Sequence, residues 1–294
     1  MAKQPTIDIV IPSYNAQWLL EKNLPVVLKT SPEVNKIIVV DDGGTDDAPK
    51  YLEKWLPKVI CVRHSENLGF SKSVNEGVSY SKADFLIFIN NDVYPKPGYI
   101  EKSMEYFDDL KVFAVNFNEE NSSWPQVSWH SGKFQFVRGE DKKTPHYSAW
   151  PSGGSCILRR SIWDKLGGFN EIYSPAYWED IDIGWRAWRS GYKIIWTPEP
   201  IVVHHHESTF GLKNKEYMNL IKQRNELLFT WQNFSDLRML LSHKLFLFSN
   251  SLRHPRYLKV IFAALKEFIT KGKRQSLPIS DQEVFKLVNT PYET

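Results

Sequence analysis

The sequence predicts an α/β protein, with a mostly parallel β-sheet flanked by helices and a helical extension at the C-terminal end. Over the first ninety residues, short apolar runs alternate with longer amphipathic ones, as strands connected by helices do. The short runs are nearly continuous in apolar residues, which is typical of strands buried on both faces of a sheet. Beyond about residue 214, only helical periodicity remains.

The elements follow in chain order. Strands are predicted over 7–12, 36–42, 59–64 and 85–90, with helices over 16–30, 48–56 and 71–81 between them. A helix over 99–107 and a strand over 112–117 precede a stretch, 118–150, with weak periodicity. Strands return at 155–160, 193–198 and 200–205, and a helix over 177–191 opens with acidic residues, which the helix dipole favours. The extension is predicted to contain helices over 214–232, 236–250, 255–270 and 280–288.

The composition of the 294-residue chain is that of a folded protein in a reducing compartment. Hydrophobic residues make up 42% and aromatic residues 14%, which is ample for a packed core. The two cysteines, Cys61 and Cys156, are too few for a disulfide framework or a zinc site. The first strand begins near Thr6 without a secretory signal pattern, and no stretch approaches the ~20 apolar residues of a membrane span. We therefore expect a cytoplasmic protein.

The net charge of +3 conceals an asymmetry. Residues 213–274 hold 13 Lys and Arg against four Asp and Glu, whereas the rest of the chain holds 24 against 30. In this segment apolar and cationic residues are interspersed at helical spacing, which suits a helix lying in an anionic membrane interface. The same stripe could instead pack against the sheet or a second copy of the chain. We expect peripheral contact with the cytoplasmic face of a membrane, or a homodimer, through these helices, and no nucleic-acid partner.

Polar residues follow three of the first four strands at the point where each strand ends. They are Ser13-Tyr14-Asn15, Asp41-Asp42-Gly43-Gly44 and Asn90-Asn91-Asp92. In open sheets of this kind, ligands bind at the carboxyl ends of the strands. No G-x-G-x-x-G follows the first strand and no G-x-x-x-x-G-K-[ST] occurs, so a dinucleotide fold and a P-loop are disfavoured.

Asp92 is a candidate metal ligand. A carboxylate at a strand end suits Mg²⁺ or Mn²⁺ bound beside a phosphorylated ligand, with Asn90 and Asn91 as neutral hydrogen-bonding partners. Asn-Asn-Asp is equally good turn chemistry, so both interpretations stay open.

The segment "WEDID" supplies a candidate general base. Its carboxylates, Glu179, Asp180 and Asp182, repel one another, so some should be engaged by a cation, a donor or a substrate hydroxyl. Asp180 is the natural base, because Asp182 points to a different face and can serve as a helix-start residue. The alternative is an ordinary acidic helix N-terminus.

Three histidines, His204 to His206, end an apolar strand. Imidazole accepts Mn²⁺ readily, and strand alternation places His204 and His206 on one face. Either of these two could be a metal ligand.

Seven segments in order resemble the inverting family 2 glycosyltransferases, particularly their rhamnosyltransferase-like branch. They are "IPSYN", "VVDDGGTDD", "NLGFSKSVNEG", "FINNDV", "PSGGSCILRRSIWDKLGGFNE", "YWEDIDIGWR" and "PEPIVVHHH". The resemblance spans about residues 5–210 and matches the helical remainder only loosely. It implies a GT-A fold, with a Rossmann-like sheet, and a nucleotide-diphosphate-sugar donor linked to dTDP or UDP.

The resemblance also implies roles for individual residues. Pro12, Ser13 and Tyr14 would line the nucleotide pocket, Asp41 would accept a hydrogen bond from the base with Asp42 beside it, and Asn67, Gly69 and Lys72 would lie near the base or diphosphate. Gly153 and Gly154 would let the backbone approach the sugar. Asn90-Asn91-Asp92 would replace the family's Asp-x-Asp, with Asn90 in place of the first carboxylate, so Mn²⁺ or Mg²⁺ would depend on Asp92 and His204. Asp180 would be the base, and Glu179 an acceptor or donor-sugar contact.

On this basis residues 1–212 form the catalytic domain, with a nucleotide-binding half over about 1–98 and an acceptor-binding half over about 99–212, and residues 213–294 form the extension. The expected reaction is inverting transfer to a hydroxyl of a glycan or lipid-linked oligosaccharide. One alternative is transfer to a polyprenyl phosphate, which has less need of Asp180. Another is a non-catalytic nucleotide-sugar-binding or scaffold module, which the missing first Asp favours and the intact "WEDID" opposes.

Overall fold

The structure, a computed structural model, describes residues 4–119, 123–205 and 215–292. Its first part follows the predicted alternation. The strands are β1 (Ile7–Ser13), β2 (Lys36–Asp41), β3 (Val59–Arg63) and β4 (Phe85–Ile89). The helices between them are α1 (Gln17–Thr30), α2 (Ala48–Leu52) and α3 (Phe70–Ser79). These elements confirm the prediction, although α2 ends early and a 3₁₀ turn continues it.

The second part contains elements that the sequence did not predict. It comprises β5 (Val93–Pro95), α4 (Tyr99–Met104), β6 (Val112–Glu119), β7 (Pro125–His130), β8 (Lys133–Arg138), β9 (His146–Tyr147), β10 (Ser155–Arg159), α5 (Arg160–Leu166), α6 (Glu179–Arg189) and β11 (Lys193–His204). Of these elements, β5, β7, β8, β9 and α5 were not predicted, and the hairpin β7–β8 lies in the stretch of weak periodicity. The prediction of separate strands over 193–198 and 200–205 is wrong, because β11 is one strand. Its pairing with β6 shifts register between Trp196 and Ile201, where two prolines without N–H groups interrupt the ladder.

Nine of the described strands form one sheet. Their order is β3-β2-β1-β4-β10-β6-β11-β5, with β9 pairing with β11. Strands β1 to β4, β6 and β11 share one direction, since β10 is antiparallel to both β4 and β6. The mostly parallel sheet is therefore confirmed. The carboxyl ends of β1, β2 and β4 meet at one edge, next to the start of α6.

Both faces of the sheet are buried, as the apolar strands predicted. Alternate residues of β1 and β2 point to opposite faces. Ile9 and Ile37 belong to the core cluster under α1, α2 and α4, whereas Val10 and Ile38 belong to the cluster under α3, α5 and α6.

Four α-helices follow within the described residues 215–292, as predicted: α7 (Lys215–Asn233), α8 (Leu237–Arg253), α9 (Leu258–Lys271) and α10 (Asp281–Val288). Leu228, Ala264 and Val284 belong to the same core cluster as Val10, so α7, α9 and α10 share a core with the sheet rather than forming a separate one. The proposed domain boundary at 212 lies outside the described residues and stays a prediction. No helix in the described part of the chain is both long and apolar enough to cross a bilayer.

Candidate active site

A cavity of about 410 Å³ opens at the carboxyl ends of β1 and β4, beside the start of α6. All the predicted site residues except Asp41 and Lys72 line it. These are Pro12, Ser13, Tyr14, Asp42, Asn67, Gly69, Asn90, Asn91, Asp92, Gly153, Gly154, Glu179, Asp180 and His204. The cavity therefore brings together residues that span almost two hundred positions of the sequence.

Asp41 and Lys72 lie elsewhere. Asp41 is buried at the end of β2, where one carboxylate oxygen accepts a hydrogen bond from the Gly44 amide at 3.0 Å and the other lies 3.3 Å from the Arg63 guanidinium. Burial raises the pKa of Asp41, although the Gly44 hydrogen bond and the Arg63 charge act in the opposite direction. Lys72 is exposed on α3. The structure thus gives Asp41 a role in the β2 turn.

Asp42 organises the neighbouring wall of the cavity. Its two carboxylate oxygens accept hydrogen bonds from the Leu68 amide at 2.8 Å and the Gly69 amide at 2.9 Å. Buried His64 lies between Asp42 and Glu76, with its ring nitrogens 2.8 Å and 2.9 Å from their carboxylates. Asp42 therefore holds the loop that carries Asn67 and Gly69. His64 was not among the predicted site residues, because it ends a predicted strand without any distinguishing motif.

The Asn90-Asn91-Asp92 segment is a turn that also lines the cavity. The backbone carbonyl of Asn90 accepts a hydrogen bond from the backbone N–H of Val93, and the backbone N–H of Asn90 donates to the Gly154 carbonyl, both at 3.0 Å. A Cβ atom on Gly154 would lie 2.2 Å from the Asn90 side chain, so a larger residue there would displace Asn90. The segment thus forms a turn and also places Asp92 at the cavity, so the two interpretations of Asn90-Asn91-Asp92 are compatible.

Asp92 and His204 form a candidate metal site. The Asp92 Oδ1 atom and the His204 Nε2 atom are 3.2 Å apart, and His204 Nδ1 lies 3.2 Å from the Glu119 Oε2 atom. Burial lowers the pKa of His204, but the hydrogen bonds and charges of Asp92 and Glu119 outweigh it and raise the pKa to about 9. Glu119, which ends β6 beside β11, was not among the predicted site residues. His206 lies outside the described residues.

These residues fit a divalent ion bound together with a phosphorylated ligand. Among the described residues, no group of three or more His, Cys, Asp and Glu side chains could hold a metal by itself. Mg²⁺ is usually held by one or two protein ligands, with substrate phosphates and waters completing its coordination. A carboxylate such as Glu119 on the second ring nitrogen is the usual way to orient a metal-binding histidine.

Glu179 and Asp180 enter the cavity from the start of α6. Burial raises the pKa of Asp180 to about 6, while its Oδ1 atom accepts a hydrogen bond from the Ile181 amide at 2.8 Å. Burial, followed by the charge of Asp180, raises the pKa of Glu179 well above its usual value. No described residue hydrogen-bonds to Glu179 Oε2. Of the two carboxyl groups, Asp180 is therefore the one that ionises more readily, and Glu179 is the one that burial favours more strongly in its protonated form.

Asp182 faces away from the cavity, as predicted. It is buried, forms an ion pair with Arg186 at 2.8 Å and accepts hydrogen bonds from the Tyr173 hydroxyl and the Asn233 amide. These contacts fix α6 against α7. Asp182 thus anchors the helix that carries Asp180.

The turn before α6 is strained and is held by the C-terminal part of the chain. Tyr177 and Trp178 have φ angles of 75° and 82°, which side chains larger than hydrogen rarely adopt. The buried amide of Asn225, on α7, donates to the carbonyl oxygens of Tyr173, Ala176 and Tyr177 at 2.7–3.1 Å. Asn225 was not among the predicted site residues, because an isolated asparagine in a helical pattern carries no signal.

Solved structures with the same fold are glycosyltransferases of GT-A type. The crystal structure of GalNAc-T7 with UDP, GalNAc and Mn²⁺ superposes with a TM-score of 0.62 at 16% identity, covering 79% of this chain and 48% of the other. The mannosyltransferase PcManGT of Pyrobaculum calidifontis, in complex with GDP-Man and Mn²⁺, gives 0.57 at 17% identity, covering 94% of this chain and 78% of the other.

Curated relatives include two bacterial rhamnosyltransferases. The O-antigen chain rhamnosyltransferase WbaN of Salmonella anatum is 24% identical, with 96% of this chain and 94% of the relative covered. The N-acetylglucosaminyl-diphospho-decaprenol L-rhamnosyltransferase of Mycobacterium tuberculosis is 23% identical, with 70% and 78% covered.

The family models agree with these likenesses. The model "Glycosyl transferase family group 2" matches residues 127–266, and "Glycosyl transferase family 2" matches residues 8–167, more than half of the chain. The resemblance noted in the sequence is confirmed: with its GT-A sheet and the cavity at its carboxyl edge, the chain belongs to glycosyl transferase family 2.

Proposed function

We propose that the protein is an inverting glycosyltransferase that moves a sugar from a dTDP- or UDP-linked donor to a hydroxyl of a glycan or lipid-linked oligosaccharide. One observation supports this best: a carboxylate with a raised pKa, Asp180, shares a cavity with the Asp92–His204 pair. A base for a hydroxyl and ligands for a diphosphate-bound ion are the two groups that such a transfer requires.

In this proposal Asp180 accepts the proton of the acceptor hydroxyl as the oxygen attacks the anomeric carbon. The attack comes from the face opposite the diphosphate, so one displacement inverts the configuration and no carboxylate nucleophile is needed. Glu179, whose Oε2 atom has no hydrogen-bond partner among the described residues, would contact a sugar hydroxyl beside Asp180. Asn67 and Gly69, held by Asp42, form the wall against which the nucleotide binds.

Asp92 and His204 would hold Mn²⁺ or Mg²⁺, with Glu119 orienting the imidazole. The bound ion would stabilise the charge that develops on the departing diphosphate. The Mn²⁺ ions in the solved structures of GalNAc-T7 and PcManGT support this assignment. Asn90, which cannot add a negative charge, contributes hydrogen bonding only.

A second cavity, of about 290 Å³, suits the acceptor because it also contains Asp180. Its wall includes Phe136, on β8, and Trp150, whose rings lie 5.1 Å apart in an edge-to-face arrangement. A Cβ atom on Gly184 would come within 2.5 Å of Trp150, so glycine lets Trp150 pack directly against α6. Rigid aromatic walls with a few polar groups are typical of small-molecule sites, and here they would contact a sugar ring.

The relatives favour the acceptor class given above. WbaN acts in O-antigen chains and the mycobacterial relative on N-acetylglucosaminyl-diphospho-decaprenol, by their names. We accordingly propose a role in surface-polysaccharide biosynthesis on the cytoplasmic side of a membrane. The reactive oxygen of a polyprenyl phosphate is already ionised, so that alternative leaves Asp180 without a purpose.

The test is a screen of UDP- and dTDP-linked sugars for donor turnover, with Mn²⁺ or EDTA. We expect Mn²⁺-dependent turnover that EDTA abolishes. Asp92→Ala should weaken Mn²⁺-dependent donor binding at least tenfold and His204→Ala less. The exposed Asp164→Ala serves as the matched control.

Two results would contradict the proposal. Full turnover in EDTA, with unchanged donor affinity in both variants, would exclude a metal-dependent reaction. Donor binding without turnover of any nucleotide sugar, with or without acceptor, would instead identify a binding module.

A further inference from the structure

Helix α8 carries an apolar stripe that faces solvent. Leu237, Leu241, Leu245, Phe248 and Leu252 are each 60–81% exposed. At 3.6 residues per turn, these five side chains fall within an arc of about 80°. The helix packs on the molecule through its opposite side, where His243 is buried and hydrogen-bonds to the Gly132 carbonyl at 2.8 Å. The stripe is therefore a second apolar face, which core packing does not use.

Helix α9 repeats this arrangement. Its inward face buries Val260 and Ala264, whereas Leu258, Phe262, Leu265 and Ile269 are 38–80% exposed. The four exposed side chains fall within an arc of about 60°. Two consecutive helices that each leave an apolar stripe in solvent mark an interaction surface, because soluble proteins rarely expose contiguous apolar patches of this kind.

The charges on this segment have one sign. Residues 237–266 contain six Lys and Arg and no Asp or Glu. All six cations are exposed, and none forms an ion pair within the described part of the chain. On α8, Arg238 and Lys244 lie about 20° outside the two edges of the apolar stripe. The stripe is thus bordered by unneutralised positive charge.

We propose that α8 and α9 form a docking surface for an anionic lipid bilayer. Apolar side chains would enter the boundary between headgroups and acyl chains, while Lys and Arg side chains would reach the anionic headgroups. A second copy of the chain fits this surface less well. A two-fold interface brings the same patch of both copies together, and here it would set cations against cations.

The docking surface is connected to the catalytic part through β7–β8 and α7. Trp129, on β7, donates to the Ser242 hydroxyl on α8 at 3.0 Å, and β8 provides Phe136 to the second cavity. Helix α7 packs against α9 and carries Asn225 to the turn before Asp180. Binding to a bilayer would therefore confine the active site to the plane in which a lipid-linked acceptor diffuses.

Vesicle flotation of the full-length protein tests the proposal. We expect the protein to float with vesicles of 30% phosphatidylglycerol in phosphatidylcholine at 50 mM salt, and to be released at 500 mM, where charges are screened within a few ångströms. Leu241→Gln with Phe248→Gln, and separately Lys244→Glu with Lys259→Glu, should each lower the vesicle partition coefficient at least tenfold. Because these side chains are exposed, all variants should keep the wild-type melting temperature and donor turnover.

Matched controls use surface residues distant in sequence. Leu110→Gln, at a leucine that is 76% exposed, and Lys165→Glu should leave flotation unchanged. Failure of the wild-type protein to float at low salt would overturn the proposal. A stable dimer in light scattering that dissociates in the Leu241/Phe248 variant, without vesicle binding, would also overturn it and assign the surface to a second copy.

Discussion

At the scale of single residues, the site depends on how burial shifts the pKa values of two adjacent carboxyl groups to different extents. Glu179 is fully enclosed beside the charge of Asp180, so ionising Glu179 is the more costly step. Asp180 receives backbone hydrogen bonds that favour its ionised form, and its pKa is raised only to about 6. Two neighbours in sequence thus differ in how readily they ionise, which the sequence alone could not reveal.

Asp180→Asn should lower kcat by roughly 10²–10⁴-fold and leave the Kd of the donor nearly unchanged, because only proton removal is lost. In the wild-type enzyme the base must be ionised. Activity should therefore rise with pH and reach half its plateau near pH 6, measured as kcat/KM for the acceptor. Asp164→Asn, at an exposed carboxylate, should match the wild type throughout. Near wild-type transfer by Asp180→Asn would refute its assignment as the base.

Folding stability gives an independent measurement of the same pKa. The folded-state pKa of Asp180, about 6, lies above the ordinary value of 3.8 for an aspartate, so the folded protein binds an extra proton between these two pH values. Stability from this group is present below the unfolded-state pKa and is lost as pH rises through about 6. Asp180→Asn should consequently raise the Tm relative to wild type at pH 8 and not at pH 3.5, by calorimetry.

At the scale of secondary-structure elements, the prediction was accurate where the burial of an element leaves a recognisable pattern of apolar residues in the sequence. Strands β1, β2 and β4 are buried along nearly their whole length, and the apolar runs of β1 to β4 located these strands within a residue or two. The hairpin β7–β8 buries mainly Val127 and Phe134, so no apolar alternation distinguishes it from a loop. Tertiary pairing, which a single sequence does not display, stabilises such a ribbon.

The same limit applies to the site. Residues that end buried strands, such as Asp92 and His204, were found from position and residue type. His64, Glu119 and Asn225 were not found, because their functions depend on contacts with residues elsewhere in the sequence. The His64 side chain contacts carboxylates, and the Glu119 side chain contacts the imidazole of the site. Asn225 contacts a turn almost fifty positions earlier. Such roles are set by the three-dimensional arrangement.

The α7 helix should control the geometry of the strained turn before α6. Asn225→Ala removes the buried donor that three carbonyl oxygens share, at a cost of about 2 kcal/mol in unfolding free energy. It should also lower kcat more than it raises the donor KM, since Asp180 follows the turn directly. Asn219→Ala, at an exposed position of the same helix, should change neither quantity. Unaltered turnover in a destabilised Asn225→Ala protein would show that the hydrogen bonds of Asn225 stabilise the fold without positioning Asp180.

At the scale of the whole molecule, the C-terminal helices are part of the catalytic fold and bear their docking surface on the outside. Leu228, Ala264 and Val284 share a core with the sheet, whereas the stripes of α8 and α9 face away from it. Removing these helices would therefore expose the catalytic core. This is why substitutions on their outer faces, rather than truncation, separate membrane docking from folding.

A buried ion pair joins Arg189, on α6, to Asp281, at the start of α10. It allows the coupling between the C-terminal helices and the active-site helix α6 to be measured. The Arg189 Nη1 atom lies 3.2 Å from Asp281, whose second oxygen accepts hydrogen bonds from the Ser235 and Asp236 amides, each at 2.7 Å. Asp281→Ala would leave a buried guanidinium without its counter-ion, which costs about 3–5 kcal/mol. For a chain of this size, that corresponds to a fall in Tm of roughly 10 °C.

If the helices complete the catalytic core, Asp281→Ala should lower the temperature at which donor turnover is lost by the same amount as the Tm from circular dichroism. Both probes should follow one transition, because α6 carries Arg189 and Asp180 together. Glu283→Ala, at an exposed position of α10, should shift the Tm by no more than about 1 °C. Turnover that survives to the wild-type temperature while the circular dichroism transition moves would mean that the extension unfolds independently of the active site.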